Sequence, residues 1–189
     1  MDADLSIDID RLQRRLAELA AIGAIEGTEG CARLALTDED KAGRDLVVTW
    51  MRDLGLEVTI DGIGNIIAVM PGEGAPVMCG SHIDTVRTGG RYDGNLGVLA
   101  GLEVIETIQT AGITPGRPLA VGVFTDEEGA RFAPDMLGSW SMSAGCRLKR
   151  RSTSRASTEP SSVTSSNASA MTAPPRFPGW CHTPSWSYT

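Results

Sequence analysis

Histidine is nearly absent from this chain of 189 residues: His82 and His182 are the only two. Any imidazole chemistry therefore rests on very few positions, with carboxylates left to supply the rest. Cysteine is sparse as well, with four residues. Cys31, Cys79, Cys146 and Cys181 are scattered without a Cys-x-x-Cys pair, which argues against a zinc ribbon and against a disulfide framework and leaves free thiols as the expectation. No apolar run approaches bilayer length. Met1 to Asp10 is acidic where a signal peptide needs a basic start and an apolar core, so a soluble cytoplasmic protein without membrane contact is expected. A basic stripe is missing too: the formal net charge is −7, which disfavours nucleic acid as a partner because phosphate binding rests on clustered Lys and Arg.

What is present divides into two unlike parts. Up to Trp140 there are 23 Asp and Glu against 11 Lys and Arg, whereas from Ser141 onward a single acid, Glu159, faces six bases. The first part is patterned. Leu12, Leu16, Leu19 and Ala20 recur at helical spacing between Ile9 and Ile22. Thr37 precedes three acids and then Leu46, Val47, Trp50, Met51 and Leu54, a second helix with a capping start and a stop at Gly55. Leu56–Ile60, Asn65–Met70, Val77–Ser81 and Leu119–Phe124 read as strands, and 96–110 reads as a helix opened by Asn95. Alternating helices and strands predict an α/β layer fold with helices packed on a mixed sheet. After Gly145 the periodicity ends in a Ser-, Thr-, Ala- and Pro-rich stretch that cannot bury enough apolar surface to order itself.

The chemistry gathers in two stretches. Gly80-Ser81-His82-Ile83-Asp84-Thr85-Val86 leads into Tyr92-Asp93-Gly94-Asn95, and Thr125-Asp126-Glu127-Glu128-Gly129 follows the last strand. Each lies at the C-terminal end of a predicted strand, the edge where open α/β sheets place their sites. A carboxylate two residues after His82 can hold the imidazole tautomer that metal binding needs, and three adjacent acids repel one another unless a cation or a proton compensates. Taken singly, each has a plain reading: a loop histidine with a capping Asp84, a turn aspartate capping a helix, a solvated acidic loop.

The segments Gly80 to Val86, Gly90 to Gly101 and Phe124 to Ser139 together resemble the metal-dependent amidase family of hydantoinases and carbamoylases, relatives of the M20 metallopeptidases. Leu34-Ala35-Leu36-Thr37 with Asp45, and Ile63-Gly64-Asn65, add to the likeness. The resemblance implies that His82 binds one metal, Asp93 bridges two and Glu128 binds the second, the ions being zinc or else manganese, cobalt or nickel. It implies Glu127 as general base for a metal-activated water and Asp84 as the group that orients His82. The implied substrates are N-carbamoyl amino acids or ureido acids such as allantoate. An M20 aminoacylase or peptidase is the alternative among enzymes, and a non-catalytic metal-binding or interaction fragment is the alternative outside them.

The resemblance stops near residue 139. Family members are much longer and carry a histidine in a Glu-Leu-His-Ile-Glu-Gln motif, a lid and dimerisation domain that makes them homodimers, and a late histidine; His182 matches none of these motifs. The expectation is a partial catalytic domain over 1–139, of little or no activity, and a disordered tail over 140–189 read out of frame. Codons chosen for Trp140 to Arg147 read Leu-Val-Tyr-Val-Gly-Gly-Leu-Pro once a single preceding C is restored, which returns the family pattern.

Overall fold

The computed structural model describes residues 5–143. Three helices, α1 (Ile9–Ala21), α2 (Asp38–Asp53) and α3 (Asn95–Thr110), accompany four strands, β1 (Glu57–Ile60), β2 (Ile66–Val69), β3 (Val77–His82) and β4 (Leu119–Phe124). The strands form one mixed sheet in the order β1-β2-β4-β3, with β3 parallel to β4 and the other pairs antiparallel. This is the α/β layering the sequence predicts. Residues 137–143 add a short helical stretch that runs past the expected boundary at 139, and the remainder of the expected tail lies outside the described residues.

Local chemistry sets the element ends. The Asp8 carboxylate accepts from the Arg11 amide to cap α1, and Thr37 Oγ1 accepts from the Asp40 amide to cap α2. Gly55, at φ +71°, ends the second helix as its position in the sequence suggests. No side chain caps α3; its N-cap is Gly94 at φ +65°.

The core joins Leu12, Leu16 and Leu19 of α1 and Val47, Val48 and Met51 of α2 to Val98, Leu99, Leu102 and Ile105 of α3, over Ile66, Ala68, Val121 and Val123 of the sheet. The charged residues of α3, Glu103 and Glu106, both serve α1. Glu103 is fully buried and accepts from the Asp8 amide, from Arg11 Nε and Nη2, and from Thr107 Oγ1. Every oxygen is satisfied, which is the condition under which a buried carboxylate is tolerated.

The sheet register assembles one edge. His82 at the end of β3 stands opposite Phe124 at the end of β4. Because β3 and β4 are parallel, the loops leaving both, 83–94 and 125–136, emerge on the same side. Antiparallel β2 begins at that side, where Ile66 faces Val123. The hairpin loop 61–65 therefore joins the two others. No helix among the described residues is long and apolar enough to cross a membrane.

Candidate metal centre

At that edge one atom each from His82, Asp93 and Glu128 lies within 4.8 Å of the others. His82 is buried, Glu128 half-buried, and the Asp93 side chain 72% exposed. The group is thus closed on the protein side and open on the solvent side. His82 Nε2 lies 3.9 Å from Asp93 Oδ1 and 3.3 Å from Glu127 Oε2. All five residues singled out in the sequence meet here.

The orientation of His82 differs from expectation. Its Nδ1 lies 2.8 Å from the backbone carbonyl of Asp84, while the Asp84 carboxylate stays 4.0 Å away. A carbonyl only accepts, so Nδ1 carries a proton and Nε2 is the ring atom turned toward the carboxylates. The backbone does what the side chain was expected to do, because β3 ends at His82 and Asp84 no longer follows the strand's alternation. The buried Asp84 carboxylate instead faces the amides of Glu127 and Glu128, each 3.4 Å away, and so ties the two ligand-bearing loops together.

Asp93 does not cap α3. Its loop is held close by Gly94: a Cβ there would stand 2.5 Å from His82 Nε2. Asn65 fixes the third loop, accepting from the Thr125 amide at 3.0 Å and donating to the Gly138 carbonyl at 3.0 Å.

Three acids here, Asp84, Asp126 and Glu128, hold their protons more tightly than usual. Burial pushes the Asp84 carboxyl up, and burial followed by the negative Asp84 does the same to Asp126. Glu128 is raised by burial and then, against the pull of His82, by Asp93 and Glu127. Asp126 is buried at φ +54° with neither carboxylate oxygen hydrogen-bonded, an arrangement the sequence does not disclose. A left-handed conformation costs most residues roughly 1–2 kcal/mol but is tolerated by aspartate and asparagine alike, so asparagine can keep this backbone while removing the buried charge. Asp126→Asn should therefore raise the melting temperature of the metal-free chain by a few degrees at pH 7. Unfolded, Asp126 titrates as an ordinary carboxyl; folded, it titrates higher. Its destabilisation is thus complete above the folded value and relieved as pH falls through it toward the ordinary range. Scanning fluorimetry from pH 7.5 down to the ordinary carboxyl range of about 4 should show the advantage of Asp126→Asn shrinking with acid, and a constant difference would refute this account.

The donor set suits a divalent cation: an imidazole nitrogen and two carboxylates converge, and the surplus negative charge is of the kind a cation relieves. The comparisons agree with that chemistry. Residues 78–168 match the model of peptidase family M20/M25/M40. An N-carbamoyl-L-amino acid amidohydrolase of Geobacillus stearothermophilus is 44% identical over 136 residues, covering 70% of this chain and 33% of that protein. A ureidoglycolate hydrolase of Oryza sativa is 37% identical over 147 residues, covering 76% and 30%. The crystal structure of a hydantoinase/carbamoylase family amidase from Burkholderia ambifaria superposes with a TM-score of 0.72 at 50% identity, covering 77% of this chain and 36% of that one. The chain spans about a third of the length of the curated relatives it matches.

Proposed function

Because the matched part of this chain belongs to the hydantoinase/carbamoylase family of amidases, within the M20 group, we propose that it carries the N-terminal share of a metal-dependent hydrolase of linear C–N amide bonds. The observation that carries the reading is the convergence of His82 Nε2, Asp93 and Glu128 at one sheet edge. His82 and Glu128 would each hold one divalent ion and Asp93 would bridge the two, zinc suiting the mixed nitrogen and oxygen donors. Such ions acidify water and polarise a carbonyl.

Glu127 projects an oxygen toward the same point without belonging to the ligand trio, and is assigned the general base that takes a proton from the attacking water and returns it to the departing nitrogen. Asp84 holds the Glu127–Glu128 turn, and its carbonyl holds His82. The substrates are N-carbamoyl amino acids or related ureido acids, by analogy with the names of the relatives.

Zinc titrated calorimetrically into the chain should bind, and Glu128→Gln should weaken binding about 10- to 100-fold, the scale seen when a metal site is disturbed. Glu127→Gln should leave affinity close to that of the wild type. Equal affinity in wild type and Glu128→Gln would remove the ligand assignment. Hydrolysis of N-carbamoyl amino acids is then compared between this chain and one with the frame restored before Trp140. Activity only in the restored protein supports a partial site, and activity in neither counts against the substrate class.

A further inference from the structure

Arg33 is fully buried, yet no carboxylate pairs with it among the described residues. Its guanidinium is spent on neutral oxygens: Nε donates to the Ile83 carbonyl at 3.1 Å, Nη1 to the carbonyls of Leu19 and Ile22 at 2.8 and 2.9 Å, and Nη2 to Asn95 Oδ1 at 2.9 Å. A buried cation with no carboxylate in contact is costly, and an apolar side chain of similar volume would fill the space at less expense. The bonds themselves indicate what offsets that cost.

Two of them hold the end of α1, and the other two reach the residues that flank His82 and Asp93, namely Ile83 directly after the strand end and Asn95 at the start of α3. The Arg33 amide donates to Thr85 Oγ1 and the Thr85 amide to the Arg33 carbonyl, both at 2.8 Å, so the main chain of Arg33 pins the segment just after Asp84 while its side chain pins Ile83. At its far end the guanidinium, a donor only, fixes which way the Asn95 amide points. Asn95 Nδ2 is thereby left to donate to the Arg91 carbonyl at 3.0 Å, and the Asn95 amide donates to the Asp93 carbonyl at 2.6 Å. Gly43 of α2 gives the side chain room, since a Cβ there would stand 3.0 Å from Arg33 Cδ.

We propose that Arg33 is the positioning residue of the metal centre, locking the loop that carries Asp93 to the strand end that carries His82 by way of Asn95. The inference rests on the reading of His82, Asp93 and Glu128 as ligands. Arg33 touches neither metal nor substrate; it sets the spacing between two groups that do.

The test uses the whole chain as wild type, Arg33→Met, Arg33→Lys, Asn95→Ala and the Arg33→Met/Asn95→Ala double variant, with His82→Ala as the control for the ligand reading. Zinc affinity is measured by calorimetry, and amide hydrogen exchange at residues 91–96 is followed without metal. Arg33→Met should weaken zinc about 10- to 100-fold and speed exchange at 91–96. The double variant should lose little more, because both changes cut one path. Arg33→Lys keeps a buried cation, and its ammonium cannot span Ile83 and Asn95 together, so it should fold and show the same loss. Asn95→Ala gives the same answer if Arg33→Met does not fold. Variants that melt early yet keep wild-type zinc affinity and wild-type exchange at 91–96 overturn the proposal, as do losses that simply multiply. If His82→Ala binds zinc as tightly as wild type, the ligand reading fails instead, and exchange in the metal-free chain still decides the role of Arg33.

Discussion

Gly94→Ala is expected to abolish measurable zinc binding, a loss of about 100-fold or more, while most of the fold persists. The added Cβ would stand 2.5 Å from both Nε2 and the backbone oxygen of His82 and 2.6 Å from Cδ2. Carbon cannot approach nitrogen or oxygen so closely, so either the ring or the loop must move. His82 cannot yield easily, because it is buried and its Nδ1 is bonded to the Asp84 carbonyl. The loop therefore gives way and takes Asp93 from the cluster. The φ of +65° adds roughly 1–2 kcal/mol of backbone strain for any residue with a Cβ. Calorimetry reads the loss of zinc, and circular dichroism reads the retained helices. Wild-type affinity in Gly94→Ala would show that the loop has freedom the structure denies it.

The second large effect is on stability. Leu99→Ala should lower the unfolding free energy by about 2–5 kcal/mol, the range for deleting a large aliphatic side chain from a close-packed interior. Leu99 is fully buried in the cluster that joins α3 to the other helices and the sheet. Domains are stable by only about 5–15 kcal/mol, so this one change takes a large share. The urea midpoint should fall with the slope unchanged, and a shift below about 1 kcal/mol, outside that range, would mean the site collapses around the gap. The consequence reaches the metal centre, since α3 begins at Asn95, directly after Asp93 and Gly94.

Much of this was legible before any coordinates. The apolar spacing of Leu12, Leu16 and Leu19 and the unbroken run Leu119–Phe124 announce their elements because helices and buried strands repeat locally. His82 stands out because histidine is so scarce, and Asp93, Glu127 and Glu128 stand out, among 24 acids, because they follow strands in segments that resemble a known family. Arg33 did not, for a lone arginine in Cys31-Ala32-Arg33-Leu34 reads as a surface charge until its donors are traced to residues 14, 50 and 62 positions away. Asp126 looked like its two acidic neighbours, and only its buried, unpartnered oxygens set it apart. Asp84 meets His82 through its backbone carbonyl and not through the carboxylate the sequence suggests, because side-chain alternation does not extend past the point where the strand stops.

The sequence alone determined the inventory: which elements form, which groups can hold a cation or take a proton, and that each stretch follows a strand. Periodicity and functional-group chemistry are properties of neighbours along the chain. Tertiary structure decided the meeting. The parallel register that sets His82 opposite Phe124, the turn that brings Gly94 against the imidazole, and the buried guanidinium that binds the loops together join residues tens of positions apart. Such contacts are selected by packing and by the need to satisfy buried polar groups, and neither constraint is written in any one segment.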